Sequence, residues 1–543
     1  MKQLLKNMND GKSVIADVPV PAIKPLNALV RTGASLVSVG TERMVVDFAE
    51  KSLIGKAQSR PDLVRQVIDK AKREGVLSTV EAAFGKLEQP MALGHSSAGT
   101  IVEMGEGLKG FKIGDKVACA GGGHAVHAEY GLIPQNLLVK IPERVDFESA
   151  SFATLGAIAL QGVRLAGVQV GEKVAVIGLG LLGLLTVQIA KAAGCDVFGV
   201  DLDAKRVELA RTFGVQAGMR ANAEAAGAAL SNGRGFDAVL ICADTKSNDP
   251  IELAGVLARE KGKVIAVGAV GLDIPRKLYY EKELDFQVSR SYGPGRYDVD
   301  YEENAVDYPY GYVRWTENRN MEAVLDLIAK GQLDVQRLIT HRFDINQATE
   351  AYELISHGDP SSFLGVVITY AQNDSVPQRK IEMPAYRPLD GAIKAGLSVL
   401  GAGNYAMSTL LPAVEKTGMV QRIRVVAGGG LSARNAAQRF GFQFASSDEE
   451  DAFQNEDTGI LAVLTRHDQH ARQVLKGLEL GKAVFCEKPL TINRDKLVQI
   501  KTRLEEHSGD YLTIGHNRRF AQQHGAIRPL ARCRYPPERA ADA

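Results

Sequence analysis

One histidine stands among small residues in the stretch LGHSSAG, residues 93–99. In so compact a setting His95 is a candidate metal ligand, a candidate proton carrier, or a hydrogen-bonded residue of the core. The cysteines are widely separated and none belongs to a C-x-x-C pair: Cys119, Cys195, Cys242, Cys486 and Cys533. We therefore expect neither a structural zinc lobe nor a disulfide framework, and a reducing cytoplasm is the natural location.

A first glycine-rich loop follows the apolar run KVAVI in the segment VAVIGLGLLGLL. Gly178, Gly180 and Gly183 have the spacing G-x-G-x-x-G, which lets a diphosphate approach the backbone at the start of a helix. Asp201 closes the next predicted strand, where a carboxylate can bind both ribose hydroxyls and repel a 2′-phosphate. The spacing predicts an NAD site. The alternative is a glycine-rich packing turn without a ligand.

A second loop of this kind occurs in LSVLGAGNYAMSTLL, with Gly401, Gly403 and an alanine in the third position. The strand that follows ends in VVAGGGLSARNA and carries no acid at its tip. Ser432 and Arg434 stand near the place of a 2′-phosphate, so this loop is predicted to bind NAD or NADP. Alternatively, Arg434 is only a solvated residue at the start of a helix.

Residues 292–315 are unusually aromatic and contain the only tryptophan of the chain. Aromatic faces with hydroxyl and guanidinium neighbours suit a sugar or another polar ring. The candidate substrate-binding residues are Tyr292, Arg296, Tyr312 and Trp315. The alternative is an aromatic interface that caps the sheet or buries a dimer contact.

The elements that carry these residues fall into an α/β pattern. Short apolar runs with turns predict β-structure over 11–145, interrupted by helical spacing at 60–87. Strands and helices alternate from Glu172, which indicates a parallel sheet. After Tyr370 a polar, proline-containing segment reads as a linker, and a second alternation begins at Gly396.

Bulk properties limit the classes of function. The chain has 543 residues, too many for one core, with 65 Lys and Arg against 64 Asp and Glu. This balance gives no global field that would attract nucleic acid or anionic lipid. We expect no signal peptide and no membrane span, because neither a cleavable apolar leader nor an 18-residue apolar run is present.

Residues 20–370 resemble the medium-chain alcohol dehydrogenase superfamily, through LGHSSAGTIVEMGEGLKGFKIGDKV, AEYGLIPQNLLVKIPE and the first glycine loop with its flanks. Residues 395–520 resemble the N-terminal half of the Gfo/Idh/MocA oxidoreductases, through GAGNYA, TRHDQHA, AVFCEKPL and IGHNRRF. In this order the two halves are similar to bi-domain oxidoreductases associated with bacterial polysaccharide synthesis.

The resemblance implies the domain organisation. A GroES-like domain spans 1–150 and is completed by 290–370, and a Rossmann domain at 151–289 splits it. A linker at 371–392 leads to a second Rossmann domain at 393–515, which lacks the family's substrate domain. The residues 516–543 look like a truncated or frame-shifted tail, so we expect the second module to be catalytically impaired.

The chain keeps the histidine of the zinc-dependent members of the first family at His95 but departs from their metal-binding motifs elsewhere. Val39 replaces the family's cysteine, Ser96 replaces the glutamate after the histidine, and only Thr154 stands near the third ligand. His95 alone cannot supply the three protein ligands of a catalytic zinc. His124 and His127 lie in a glycine-rich segment. We therefore expect no zinc.

The resemblance also supplies catalytic candidates. Thr41, Glu42 and His95 map onto the neighbourhood of the family's active site and could perform acid–base chemistry without a metal. The alternative is that His95 is a core residue and that Glu42 pairs with Arg43 or another arginine.

In the second module, Lys488 of the CEKP motif matches the lysine between nicotinamide and substrate, where lowered basicity through burial would let it relay a proton. Glu487 and Thr465 match cofactor-contacting positions, and His470 lies in the helix that follows Thr465.

These observations lead to one leading hypothesis. The chain is expected to be a cytoplasmic, zinc-independent, NAD(P)-dependent oxidoreductase of a secondary alcohol or ketone, with a sugar or nucleotide sugar as candidate substrate and a homodimer as candidate assembly. The rival is a dinucleotide-binding assembly or regulatory protein without turnover. A third option retains a metal at His95.

Overall fold

A computed structural model describes residues 1–51, 90–372, 376–384 and 395–516, together with residues 55 and 386. The chain divides into two compact units. The first unit comprises residues 1–17 and 23–376, and the second comprises residues 18–22 and the chain from residue 377.

The strands and helices of the first unit alternate along most of its length. The strands are β1 (Lys2–Lys6), β2 (Ser13–Asp17), β3 (Asn27–Val37), β4 (Met91–Ala92), β5 (Ser96–Met104), β6 (Lys116–Ala120), β7 (Tyr130–Pro134), β8 (Leu138–Lys140), β9 (Lys173–Ile177), β10 (Asp196–Asp201), β11 (Gln216–Met219), β12 (Phe236–Ile241), β13 (Ala258–Ala266), β14 (Asp285–Val288), β15 (Ile339–Asp344) and β16 (Gly365–Thr369). The α-helices are α1 (Val39–Glu50), α2 (Phe147–Ala150), α3 (Ala153–Ala166), α4 (Leu181–Ala192), α5 (Ala204–Thr212), α6 (Ala223–Leu230), α7 (Asp249–Leu257), α8 (Arg276–Glu281), α9 (Val299–Glu302), α10 (Glu317–Ala329) and α11 (Ala348–His357).

A six-stranded parallel sheet forms the nucleotide-binding half of this unit. Its order is β11-β10-β9-β12-β13-β14, and each neighbouring pair is parallel. The strands β9 and β12 are apolar apart from Lys173 and Asp237, as is typical of a parallel sheet with helices on both faces. The strand order reverses between β9 and β12, and ligands bind at such a point in open α/β sheets.

The other half of the first unit is mainly antiparallel. The strands β15, β16, β3, β5, β6 and β8 form one sheet in this order, with β7 also paired to β3. A second, small sheet has the order β2-β1-β4. The helix α10 packs on α3 between the two halves, where the side chain of Val324 occupies the space that a Cβ at Gly156 would need.

The second unit contains another mostly parallel sheet. Its strands are β17 (Lys380–Glu382), β18 (Gly396–Leu400), β19 (Gln421–Val426), β20 (Phe444–Ser446), β21 (Ile460–Val463), β22 (Ala483–Glu487) and β23 (Leu512–Gly515), in the order β17-β20-β19-β18-β21-β22-β23. Its helices are α12 (Leu411–Thr417), α13 (Leu431–Phe440), α14 (Glu450–Phe453), α15 (His467–Glu479) and α16 (Arg494–Glu506), and a π-helical turn at Ala406–Leu410 precedes α12. From β20 to β23 the order repeats that of the first unit's parallel sheet.

The structure confirms the predicted α/β class with two Rossmann-type sheets and differs in two local features. Part of the segment expected as a linker forms β17, because Lys380–Glu382 pair antiparallel with β20 at the edge of the second sheet. The segment VGTE, expected within a β-rich region, opens α1 instead. The predicted helical spacing at 60–87 and nearly all of the tail at 516–543 lie outside the described residues. None of the described helices has the length and apolarity needed to cross a membrane.

Candidate functional site

The loop after β9 is shaped by its glycines. Gly178 has φ +93°, and a Cβ there would lie 2.6 Å from the backbone nitrogen of Ala243. A Cβ at Gly183 would lie 1.8 Å from the carbonyl oxygen of Gly178, so α4 passes directly against the loop. A Cβ at Gly180 would have open space apart from Nη1 of Arg206 at 3.9 Å. The three glycines therefore give a left-handed turn, a close helix contact and an open face at the helix N-terminus.

Asp201 ends β10 and faces this loop. Its carboxylate accepts hydrogen bonds from the backbone nitrogens of Leu179 and Asp203, at 2.5 and 2.9 Å. Each carboxylate oxygen keeps a second lone pair for a ribose hydroxyl. Arg206, on the first turn of α5, lies beside the loop at Gly180. The sequence reasoning missed Arg206, although its place five residues after Asp201, at a helix start, could have suggested it.

The segment with the catalytic candidates lies at the point where the strand order reverses. Ala243 and Asp244 follow β12, and a Cβ at Gly40 would lie 3.5 Å from Oδ2 of Asp244. The start of α1, with Thr41 and Glu42, therefore stands at the carboxyl end of the parallel sheet, near the glycine loop. Asp244 is a second residue that the sequence reasoning missed.

Glu42 belongs to a buried chain of hydrogen bonds. One carboxylate oxygen accepts from the backbone nitrogen of Ser38 at 2.9 Å, and the other lies 3.2 Å from Nε2 of His127. On the far side of the ring, Nδ1 of His127 lies 2.7 Å from Oγ of Ser35, which lies 2.7 Å from the hydroxyl of Tyr370. The hydrogen bonds of the chain are all satisfied when Nε2 of His127 donates to Glu42 and Nδ1 accepts from Ser35. The structure does not bear out the alternative in which Glu42 pairs with Arg43 or another arginine, because the carboxylate is buried against His127.

His95 lies beside this chain. The His127 ring occupies the space next to Gly94, where a Cβ would come within 2.9 Å of it. Burial is the main influence on the pKa of His95, a partly exposed residue, and lowers it. The carboxylate of Glu42 raises this pKa, whereas His127 and Arg296 lower it. The net shift is downward, which favours a neutral imidazole that can accept a proton. Thr41 is exposed on the first turn of α1.

The residues at the family's zinc positions do not form a suitable donor set. Val39 is apolar, and Thr154 is fully buried with a hydroxyl that has no hydrogen-bond partner. His95 therefore remains as one imidazole where a catalytic zinc needs about three protein ligands. In the part of the chain that the structure describes, no group of three His, Cys, Asp or Glu is arranged to hold a metal. The donor set does not fit zinc.

The structure separates the four predicted substrate-binding residues into two groups. Tyr292 is buried and Arg296 donates to Glu302 at 2.5 Å, with its guanidinium 4.1 Å from the ring centre of Tyr297. The charge of Arg296 acts on the pKa of His95, so this group adjoins the catalytic candidates. Tyr312 and Trp315 lie further along the segment, and Tyr312 is 91% exposed.

A buried carboxyl that the sequence reasoning missed lies in the inner group. Glu317 opens α10 and is fully buried. The Tyr292 hydroxyl lies beside it and acts on its pKa, but the two groups do not meet hydrogen-bond geometry, so both are without a partner. Burial, followed by the charge of Glu302, raises the pKa of Glu317 to about 9, although Arg296 and Tyr292 oppose the rise. Glu317 is therefore protonated at neutral pH.

The loop of the second unit has the same first glycine and a different third residue. Gly401 has φ +98°, and a Cβ there would lie 2.6 Å from the carbonyl oxygen of Leu464. Gly403 faces open space, and Ala406 is buried in the third position. Ser432 and Arg434 lie on the first turn of α13, which Gly430 precedes. Their assignment to a 2′-phosphate stays a prediction.

The other candidates of the second unit gather around His470. This fully buried imidazole lies 3.1 Å from the carbonyl oxygen of Thr465 and 2.7 Å from that of Pro489. It therefore joins the loop after β21 to the loop after β22. Lys488 is exposed, so the burial expected around its ammonium group is absent from the described residues. Glu487 has one buried carboxylate oxygen without a partner.

Comparison with known families matches three parts of the chain. Residues 70–143 match the alcohol dehydrogenase GroES-like domain, and residues 182–306 match the zinc-binding dehydrogenase family. Residues 396–516 match an oxidoreductase family with an NAD-binding Rossmann fold, Gfo/Idh/MocA.

Individual relatives align with the first unit. Sorbitol dehydrogenase 1 of Saccharomyces cerevisiae is 27% identical over 310 residues, which cover 50% of this chain and 80% of that protein. Alcohol dehydrogenase of Geobacillus stearothermophilus is 26% identical over 350 residues, covering 58% of this chain and 95% of that protein. The solved structure of alcohol dehydrogenase TADH from Thermus sp. ATN1 matches with a TM-score of 0.51 and 20% identity, covering 68% of this chain and 100% of that one. This structural likeness shows the fold.

Proposed function

We propose that this chain catalyses its reaction without zinc. It is an NAD(P)-dependent dehydrogenase in which a medium-chain dehydrogenase module is joined to a Rossmann domain of the Gfo/Idh/MocA type. The first unit interconverts a secondary alcohol and a ketone. Polyols and sugars are the substrate class that we favour, in line with the relatives named sorbitol dehydrogenase and D-xylulose reductase.

One observation carries the proposal. The loop from Gly178 to Gly183 offers an open face at a helix N-terminus, while the Asp201 carboxylate lies against the same loop. Backbone N–H groups favour a diphosphate, and the carboxylate favours an unphosphorylated ribose. Both features together support NAD as the cofactor of the first unit, and the second unit takes NAD or NADP.

The catalytic groups are proposed from their position and electrostatics. NAD held by the Gly178–Gly183 loop and Asp201 would supply the acceptor for the hydride that leaves the carbinol carbon. The hydroxyl proton then needs a base, and a neutral His95 at the cleft can accept it as the C=O bond forms. Glu42 stabilises the resulting imidazolium by its charge, and His127 holds that carboxylate in place. Thr41 is proposed to hydrogen-bond the substrate hydroxyl. Lys488 is proposed as the residue that relays a proton in the second unit.

Zinc independence rests on the donor set. Val39 and Thr154 stand at the positions that the resemblance gives to zinc ligands, although another part of the chain, residues 182–306, matches a family described as zinc-binding dehydrogenase. Elemental analysis of the purified protein tests this, and stoichiometric zinc would overturn the metal-free mechanism in favour of a metal at His95.

The experiment for the whole proposal compares wild type with Gly180→Asp. Gly180 has room for a side chain, so the variant should fold, but its carboxylate would stand where the diphosphate binds. We expect NADH titration, followed by fluorescence, to show loss of the first site and loss of alcohol-dependent absorbance change at 340 nm. Equal NADH binding by wild type and Gly180→Asp would overturn the proposal.

The second candidate is a dinucleotide-binding assembly or regulatory protein without turnover, favoured by the unfit zinc positions. Tight NADH binding without turnover of any alcohol or sugar would support it. We also propose a cytoplasmic location, supported by the four buried free thiols among the described residues, a small-molecule substrate, and a homodimer.

A further inference from the structure

In the outer part of the aromatic segment, three guanidinium groups stack on two rings, Tyr310 and Trp315. We name these residues, together with the exposed Tyr312 between the two rings in sequence, the outer cluster: Arg164, Tyr310, Tyr312, Arg314, Trp315 and Arg319. Cζ of Arg164 lies 3.3 Å from the ring centre of Trp315, and Cζ of Arg314 lies 3.7 Å from it. Two guanidinium groups cannot share one face of an indole at these distances. They therefore lie on opposite faces, and Trp315 holds two cations apart.

Among the described residues, two of the three guanidinium groups of the outer cluster have no carboxylate partner. Arg319 pairs with Asp307, but in the described ranges no ion pair joins Arg164 or Arg314 to an acid. Nε of Arg164 donates to the neutral amide oxygen of Asn320 at 2.8 Å. Burial and then the charge of Arg314 lower the pKa of Arg164 to about 10, which leaves it charged at neutral pH. Two cations without a carboxylate partner among the described residues thus flank the indole of Trp315.

The same cluster presents aromatic surface to solvent. Tyr312 is 91% exposed and Tyr310 is 56% exposed. The guanidinium of Arg314 lies over both Trp315 and Tyr310, at 3.7 and 4.7 Å from the ring centres. Stacking fixes a guanidinium while leaving its N–H edges free, so little side-chain entropy is lost when an anion binds.

We propose that the outer cluster binds a saccharide that carries an anionic group, either a carboxylate or a phosphate. The N–H edges of Arg314 and Arg164 receive the anion, and the exposed ring of Tyr312 packs on the apolar face of the sugar. This binding goes beyond the proposed oxidoreductase function and requires no turnover. Asn320 connects the two groups of the segment, because its amide nitrogen donates to the carbonyl oxygen of Tyr292.

The chain supplies its own reporter, because Trp315 is its only tryptophan. We would titrate the full-length protein with D-glucuronate and with D-glucose 1-phosphate, following Trp315 emission and, independently, heat release. D-Glucose tests the need for the charge, and inorganic phosphate tests the need for the sugar. Arg314→Gln removes an exposed cation of the stack. Arg276→Gln is the matched control, because Arg276 is also exposed and stacks on a tyrosine, Tyr280, at 5.1 Å.

The expected result is binding of at least one anionic sugar that weakens with added salt. Arg314→Gln should weaken it about tenfold, as expected for one charge-assisted hydrogen bond, whereas Arg276→Gln should leave it unchanged. Tyr312→Ala should weaken the sugar and not inorganic phosphate. The stronger of the two anionic sugars identifies the charge that the site prefers. Absence of binding, equal binding of glucose or inorganic phosphate, or a wild-type constant in Arg314→Gln would each overturn the proposal.

Discussion

In the first unit the loop from Gly178 leads directly into α4, whereas in the second unit the loop from Gly401 leads into a π-helical turn at Ala406–Leu410 before α12. The first glycine of each loop does the same work, since both have a positive φ and meet the backbone after a neighbouring strand. The third position differs: a Cβ at Gly183 would meet a carbonyl oxygen at 1.8 Å, but Ala406 carries its Cβ in the core.

Pro412 accounts for the looser helix start in the second unit. A proline inside a helix has no N–H to donate, and its ring clashes with the carbonyl group four residues earlier, here that of Ser408. A π-helical turn widens the backbone at this point and relieves the clash. The difference teaches that the third glycine of such a loop is required only where the helix passes tightly over the first one.

The largest expected effect on cofactor binding comes from exchanging the third residues. Gly183→Ala should introduce about 1–3 kcal/mol of overpacking, and because displacement of the phosphate-binding loop relieves it, NADH affinity at the first site should fall about 5- to 150-fold. Ala406→Gly should cost only about 1 kcal/mol of stability in the second unit. Calorimetric titration with NADH separates the sites by stoichiometry. Wild-type affinity in Gly183→Ala would show that the two loops do not differ in this way.

A smaller effect is expected at the acid that only the first loop possesses. Asp201→Asn keeps the shape of the side chain but removes the charge that favours ribose over ribose 2′-phosphate. We expect the ratio of NADH to NADPH affinity at the first site to fall about tenfold. Ser432→Ala, in the second unit, serves as the control and should leave that ratio unchanged. An unaltered preference in Asp201→Asn would refute the role of the carboxylate.

A third difference concerns stability, and its dependence on pH should distinguish the units. The pKa of Glu317 is about 9 in the folded state against an ordinary value of 4.5, so the folded protein binds a proton that the unfolded chain releases between these values. The unfolding free energy of the first unit should therefore fall as pH rises through this window, by at most about 1.4 kcal/mol per pH unit. Urea titrations from pH 5 to about 9 measure this slope.

Glu317→Gln should abolish that slope, because the amide does not titrate. Glu322→Gln, an exposed position on the same helix, should retain it. A slope that persists in Glu317→Gln would assign the pH dependence to another group.

The sequence by itself determined the two parallel sheets, both glycine loops and the position of Asp201. These features are local: a buried strand, a turn that needs glycine and a helix follow one another within about 20 residues. The unfit zinc positions at Val39 and Thr154 could also be read directly from residue type, once the resemblance had aligned them.

Only the tertiary structure decided what surrounds the catalytic and aromatic residues. Glu42 meets His127, which lies 85 residues further along the chain, and Arg164 of α3 meets Trp315, which lies in the segment before α10. Such contacts join distant segments through packing, and no spacing in the sequence encodes them. The burial of Glu317, which raises its pKa, likewise depends on how the neighbouring elements pack. The same is true of the second loop, where Pro412 widens the start of the helix and makes room for an alanine.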